Sequence, residues 1–253
     1  MIEAPLKGRN PKPRSSGITM LIDKGLTARQ TRDLVETYAD LIDFIKLAFG
    51  TTAIYPPEIL AQKIDCCKEH GVAVYPGGTF FEIAFWENQS AAYFRKVKDL
   101  GFEWVEISEG TLTLKGSERI KAIRAAIDYG LNVITEAGKK DPLQQPEAAE
   151  IIETAENDLR EGAVWVIIEG RESGTGIGIF DREGQIMIEK LSVLTKALPI
   201  DRIIWEAPHK NQQAQLINDF GPNVNLGNIN PQEVLALEAL RRGYRNDTWK
   251  FII

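Results

Sequence analysis

Four glutamates close four apolar runs in this chain: Trp104-Val105-Glu106, Val133-Ile134-Thr135-Glu136, Val166-Ile167-Ile168-Glu169 and Ile203-Ile204-Trp205-Glu206. Carboxylates brought together in a poorly solvated cleft repel one another at a cost of several kcal/mol unless cations compensate. A hard divalent ion is the economical compensation. Carboxylates with water suit Mg²⁺, which takes one or two of them and completes its shell with water and substrate oxygens. Glu106, Glu136, Glu169 and Glu206 are therefore candidate Mg²⁺ ligands. The plainer alternative is that some of them pair with lysine or arginine in the same cleft as scaffold.

Cations occupy equivalent places. Lys24 follows Leu21-Ile22-Asp23, Lys46 closes Phe44-Ile45, Lys139 and Lys140 follow Glu136, Arg171 follows Glu169 and Lys210 follows Glu206. Lysine and arginine at a mouth that already holds carboxylates imply a ligand of considerable negative charge. A lysine crowded by Mg²⁺ and other cations would have a lowered pKa and could exchange protons near neutrality. Two glycine-bearing segments, Tyr75-Pro76-Gly77-Gly78-Thr79 and Arg171 to Gly178, could bring backbone N–H groups to an oxyanion or close over substrate. Asn225-Leu226-Gly227-Asn228 precedes a helix opened by Pro231, a place where barrels hold phosphate. His209 is a further candidate for substrate contact. With two histidines and no cysteine site, a zinc hydrolase or a Ser-His-Asp enzyme is poorly supported.

The elements that must position these residues read as eight strand–helix units. Strands start near Ile18, Ile42, Val72, Trp104, Asn132, Trp165, Ile203 and Val224. Helical patterns follow over Thr27 to Ala39, Pro56 to His70, Asn88 to Leu100, Ser117 to Tyr129, Pro146 to Glu161, Glu189 to Ala197, Lys210 to Asp219 and Pro231 to Arg242. Gly71, Gly101, Gly130 and Gly162 stand just past helices, where a left-handed C-cap is cheap for glycine. Short β-branched runs between helices read as buried parallel strands, and right-handed crossovers close eight such units into a (β/α)8 TIM barrel of the α/β class. Its active site then lies at the carboxyl ends of the strands, where the charges are. A doubly wound open sheet would use the same units, but the first βα turn, Asp23-Lys24-Gly25-Leu26-Thr27, lacks the dinucleotide fingerprint.

The 253 residues suit one domain, a barrel over 1–253 with an extended N-terminal segment 1–16. The basic residues of that segment, Lys7, Arg9, Lys12 and Arg14, read as a strap over the barrel, with a phosphate-binding arm as the alternative. No apolar stretch approaches the roughly 20 residues of a membrane span, and no apolar signal core opens the chain, so a cytoplasmic protein is expected. A net charge of −6 argues against a nucleic-acid surface. Adjacent Cys66 and Cys67 diverge by about 100° on a helix and give neither an ordinary disulfide nor a metal spacing.

In order along the chain, Ile22-Asp23-Lys24-Gly25-Leu26, Val74-Tyr75-Pro76-Gly77-Gly78-Thr79, Thr135-Glu136-Ala137-Gly138-Lys139-Lys140, Ile168-Glu169-Gly170-Arg171-Glu172-Ser173-Gly174 and Trp205-Glu206-Ala207-Pro208 resemble the phosphosulfolactate synthase family. The resemblance runs from about Gly17 to Asp247 and ends on Leu240-Arg241-Arg242-Gly243. It implies a (β/α)8 barrel and Mg²⁺-dependent addition of sulfite to C3 of phosphoenolpyruvate, giving (2R)-phospho-3-sulfolactate. The family serves coenzyme M synthesis in archaea, and bacterial relatives suggest a route to sulfolactate. The resemblance also assigns the proton for C2 to Lys139. Lys140, as the next residue, is expected to point away from the ligand or into the loop. Lys24, Lys46 and Arg171 are expected to hold phosphate, carboxylate and sulfite, with Gly77, Gly78 and Asn228 at the same site. Glu109 stands where aspartate is common in the family. A homo-oligomer is compatible with all of this. Two other classes compete: a barrel lyase or aldolase using Lys139 as a Schiff-base nucleophile on a phosphorylated carboxylate, and a non-catalytic binding barrel, whose mark would be lost strand-end charges.

Overall fold

The chain was studied as a computed structural model that describes residues 3–249. Strands β1 (Thr19–Asp23), β2 (Phe44–Leu47), β3 (Ala73–Pro76), β4 (Trp104–Ile107), β5 (Asn132–Ala137), β6 (Trp165–Ile168), β7 (Ile203–Glu206) and β8 (Leu226–Ile229) are parallel. Between and after them run α1 (Ala28–Tyr38), α2 (Pro57–Glu69), α3 (Gly78–Trp86), α4 (Ser90–Asp99), α5 (Gly116–Asp128), α6 (Ala148–Arg160), α7 (Ile188–Ala197), α8 (Lys210–Phe220), α9 (Val234–Arg241) and α10 (Asn246–Trp249). Ladders join the strands in the order β3-β2-β1-β8-β7-β6-β5-β4, and β4 returns alongside β3 without a ladder of its own, so the expected TIM barrel is closed except for one seam.

Side chains two apart on a strand share a face. That rule explains the interior: Met20, Phe44, Tyr75, Ile134, Trp165, Ile167 and Ile204 form one buried cluster inside the barrel, with Trp104 against it. Phe44 meets Trp104, Trp165 and Tyr75 edge-on at centroid distances of 5.0, 5.4 and 6.0 Å. These aromatics fill the lumen, so the barrel has a floor rather than a pore. Two residues further along the same strands stand Lys46, Glu106, Glu136, Glu169 and Glu206, which therefore form the top layer over that floor. The alternate residues, such as Leu21, Ile45, Val105, Val133 and Val166, pack outward under the helices in the larger core.

The same alternation places Asp23, the charge that ends β1. It faces outward with Leu21, and its carboxylate is bound by Lys63 of α2 at 2.5 Å and by the N–H groups of Gly25 and Leu26 at 2.8 and 2.7 Å. This strand-end charge is a scaffold pair fixing the β1–α1 turn. The expected C-caps hold: Gly71, Gly101, Gly130 and Gly162 have φ of 63°, 92°, 74° and 107°. Two helices go unforeseen, α3 and the short α10. The segment after β3 begins α3 at Gly78 rather than forming an open glycine loop, because Gly-Thr-Phe-Phe-Glu-Ile-Ala-Phe-Trp is apolar almost all round and shows no amphipathic period.

The N-terminal segment runs across the opposite end of the barrel. Arg9 donates to the Gly17 carbonyl (2.8 Å), Lys12 to those of Ala39 and Ile42 (3.0 and 2.6 Å), and Arg14 pairs with Asp43 (2.9 Å). Its charges are spent closing the floor, which sets aside a phosphate-binding arm. No helix among the described residues is long and apolar enough to cross a membrane.

Candidate active site

Lys46 is the centre of the top layer. Its Nζ lies 3.0 Å from Glu106 Oε2, 2.8 Å from Glu136 Oε2 and 3.2 Å from Glu206 Oε1. Burial works against its charge, but the three carboxylates outweigh that and hold the ammonium well above its ordinary range. Lys46 is thus the internal counter-ion of the glutamates, the plainer of the two roles open to it.

Even so, four buried carboxylates face only Lys46 and Lys140. Carboxylate oxygens of Glu136, Glu169 and Glu206 come within 4.8 Å of one another. Glu136 Oε1 and Glu169 Oε2 are buried and accept no hydrogen bond from the protein. Burial, then Glu136 and Glu206, raise the Glu169 carboxyl well above its usual range. Burial pushes Glu136 up too, but Lys46 first, then Lys140, reverse this and hold it at about 2. Buried carboxylate oxygens that accept no hydrogen bond and lie this close together fit a hard divalent cation. Glu106 lies outside this triad: its Oε1 accepts from the Gly78 N–H at 2.7 Å, its Oε2 lies 3.0 Å from Lys46 Nζ, and burial, relieved in part by Lys46, raises it to about 7.

The two lysines after β5 are arranged the opposite way from the expectation. Lys139 Nζ donates to the carbonyls of Glu109 and Leu112 at 2.8 and 2.9 Å and lies 3.7 Å from the Glu109 carboxylate, locked into the β4–α5 loop. Lys140 reaches inward: Nζ donates to Thr79 Oγ1 at 3.0 Å and lies 3.4 Å from Glu82 and 3.8 Å from Glu136. It lines a cavity of about 240 Å³ with Lys46, Glu106, Glu136, Glu169 and Glu206, and Lys139 does not. The expected lowering of a mouth lysine is also reversed. Burial would depress the Lys140 ammonium, but Glu136, Glu82 and Glu169 raise it above its normal range. Glu109, whose role the sequence left open, serves as the partner of Lys139 and of Arg119, the latter at 3.7 Å.

The remaining candidates divide. Arg171, at φ 57°, lines the same cavity; its N–H is bound by Glu169 Oε1 (2.8 Å) and Glu206 Oε2 (3.1 Å), and its Nη1 donates to the Lys140 carbonyl at 3.1 Å. Gly77 and Gly78 line it too, but their N–H groups are taken by the Leu47 carbonyl (3.0 Å) and Glu106 (2.7 Å), which corrects the idea that they present free donors to an oxyanion. What Gly78 supplies is room: a Cβ there would lie 2.6 Å from Ser108 Cβ and 2.7 Å from Glu106 Oε1. Lys24, half-exposed and 4.0 Å from Glu172, lines an adjoining outer cavity of about 530 Å³ together with His209. Asn228, at φ 56° with a buried Oδ1 that has no partner, stands between the two cavities and lines both.

Sequence reasoning missed Glu82, Thr79 and Arg119. Arg119 of α5 forks onto Asp158 of α6 (2.6 and 2.8 Å) and donates to the Glu136 carbonyl at 3.0 Å, fixing the end of β5. A glutamate in the apolar run of α3 and an arginine in α5 facing an aspartate in α6 were the available signals.

Known proteins resemble this chain in sequence and in fold. A family model described as (2R)-phospho-3-sulfolactate synthase (ComA) matches residues 7–247. A phosphosulfolactate synthase from Methanothermobacter thermautotrophicus is 46% identical over 244 residues, covering 95% of this chain and 94% of that protein. One from Bacillus subtilis is 36% identical, covering 95% of each. Among solved structures, 3-hexulose-6-phosphate synthase from Salmonella typhimurium superposes with a TM-score of 0.56 at 14% identity, covering 92% of this chain and 97% of that one, which shows the shared barrel. With the strand-end glutamates and the Gly-Lys-Lys turn at the mouth of such a barrel, the chain belongs to the (2R)-phospho-3-sulfolactate synthase family.

Proposed function

We propose that this enzyme adds sulfite to C3 of phosphoenolpyruvate to give (2R)-phospho-3-sulfolactate, with Mg²⁺ held by Glu136, Glu169 and Glu206. The observation that carries the metal assignment is the orphaned pair Glu136 Oε1 and Glu169 Oε2 within a buried triad of carboxylates. Bound there, Mg²⁺ supplies positive charge that stabilises the negative charge gathering on the substrate carboxylate and offsets the carboxylates that hold Lys140 protonated.

The sulfur lone pair forms the bond to C3, and the C2–C3 π pair moves toward C2 and the carboxylate. Lys140 then gives a proton to C2, which completes the addition, and regains one from water. Its Nζ is aimed into the cavity by Thr79 and Glu82, whereas the Lys139 ammonium is committed to loop carbonyls. Lys46 holds Glu106, Glu136 and Glu206 in register. Arg171 and Lys24 supply cations for the anionic groups of the substrates. The aromatic floor closes the site from below, so reactants enter and leave only through the loops. Small-molecule substrates in the cytoplasm, without nucleic-acid or membrane partners, complete the reading, and a homo-oligomer is compatible with it.

The test is an incubation of phosphoenolpyruvate with sulfite, with Mg²⁺ and with EDTA, followed by ³¹P NMR. Phosphosulfolactate forming only with the metal is expected; unchanged turnover in EDTA removes the metal from the reaction.

A further inference from the structure

Glu82 is a carboxylate in the middle of α3, 2% exposed and flanked by Phe81, Ile83 and Ala84. A charge in such a place is costly unless it is fully hydrogen-bonded. Its Oε1 accepts from Ser108 Oγ (2.5 Å) and the Gly110 N–H (3.2 Å), and its Oε2 accepts from the N–H groups of Thr111 (2.8 Å) and Leu112 (3.2 Å). All four donors belong to the loop that follows β4. Glu82 therefore bridges the β3–β4 seam, the one junction of the barrel that has no ladder.

The fifth partner is Lys140, with Nζ 3.4 Å from Glu82 Oε1. Thr79, three residues earlier and so on the same side of α3, accepts from the same ammonium on its Oγ1 at 3.0 Å. Gly110, held by Glu82, takes the Lys140 N–H on its carbonyl at 2.9 Å, and the lysine stem lies across its Cα: a Cβ there would meet Lys140 Cε at 2.8 Å. Both the head and the stem of Lys140 are thus placed by groups that Glu82 fixes. Glu82 itself does not line the cavity.

We infer that Glu82 is the positioning residue for Lys140, setting the ammonium over the reacting carbon by clamping the β4–α5 loop and the lysine with one carboxylate. This rests on Lys140 being the proton donor. A reacting group displaced by about 1 Å costs up to roughly 10²-fold in rate. Glu82→Gln puts an amide N–H₂ against a set of donors and releases Lys140, so kcat should fall roughly 10- to 100-fold, with KM for phosphoenolpyruvate changed by less than about threefold.

A double-mutant cycle on kcat separates positioning from general damage. Lys140→Met should lower kcat strongly, and adding Glu82→Gln to it should cost less than about twofold more, because the residue that Glu82 places is already gone. Product followed over hours by ³¹P NMR keeps the slow variants measurable. Equal losses from Glu82→Gln in both backgrounds would overturn the inference while leaving Lys140 as donor. A Lys140→Met enzyme with wild-type kcat would overturn the donor reading, and the inference with it. Should the glutamine variant not fold, Glu82→Asp, which keeps the charge but withdraws it from Nζ, runs the same cycle.

Discussion

Stripped of divalent metal, the protein should lose stability as the pH is raised from about 5 to about 8. The sign follows from the top layer. Burial holds the Glu106 carboxyl at about 7 in the fold, against 4.5 for the unfolded chain. Between those values the folded state binds more protons than the unfolded state, so unfolding becomes easier as pH rises. The shift amounts to roughly 3 kcal/mol, fully lost once the pH passes about 7. For a domain of this size, 1 kcal/mol moves Tm by about 2–4 °C, so a fall of about 6–12 °C is expected. Glu169, raised by burial and by Glu136 and Glu206, pushes in the same direction. Glu136, held at about 2, does the opposite but at lower pH: its contribution is complete above 4.5 and constant in this window. Metal binding needs the deprotonated carboxylates, so the Tm gain from Mg²⁺ should grow over the same pH range. The assay is thermal unfolding in EDTA and in excess Mg²⁺ across the window. Glu169→Gln is the internal control: its carbonyl can still accept from the Arg171 N–H, and its N–H₂ can donate to Glu136 as the protonated acid would. This variant should still lose metal-free stability through Glu106 as the pH rises, but less than the unchanged protein, and should lose the Mg²⁺ gain. A Tm in EDTA that stays flat or climbs through neutrality would refute the electrostatic reading of the mouth.

Other consequences are as direct. Lys140→Ala should lower kcat by roughly 10²-fold or more, whereas Lys139→Ala should act mainly on Tm by freeing the β4–α5 loop; steady-state kinetics and melting of both variants check this, and the reverse pattern would restore Lys139 as donor. Arg171→Ala should raise KM for phosphoenolpyruvate or sulfite by about 10- to 100-fold, the worth of roughly 1.5–3 kcal/mol in a charged contact, and lysine should rescue it poorly; unchanged KM values would make Arg171 a scaffold residue. Gly78→Ala should cost about 1–3 kcal/mol by overpacking against Ser108 and Glu106, seen as a lower urea midpoint at unchanged m-value.

The repeating strand–helix pattern, the capping glycines and the charges at strand ends were local features, and local features survive in a sequence. An apolar run has to be buried wherever it lies, and a residue two positions after an inward aromatic must also point inward. Hence the barrel, its polar rim and the glutamate candidates could be read before any coordinates. The α3 helix could not, because its apolar residues lack a period and its first residues look like a turn.

Tertiary structure alone decided which charges meet. Lys139 and Lys140 are neighbours in a turn entered at φ 134° by Gly138, where no helical or strand period says which side chain faces the mouth. Their directions are fixed by distant groups: Glu109 and the loop carbonyls draw one away, while Glu82 and Thr79 hold the other in. Likewise Asp23 and Glu136 both end apolar runs, yet one faces Lys63 in the helical layer and the other the lumen, since an offset of one residue along a strand exchanges the two faces. The sequence by itself determined that carboxylates and cations would crowd one rim. The packing of α3 and the β4–α5 loop over the open seam determined which lysine lines the cavity, because that contact joins residues far apart in the chain whose partnership no local pattern encodes.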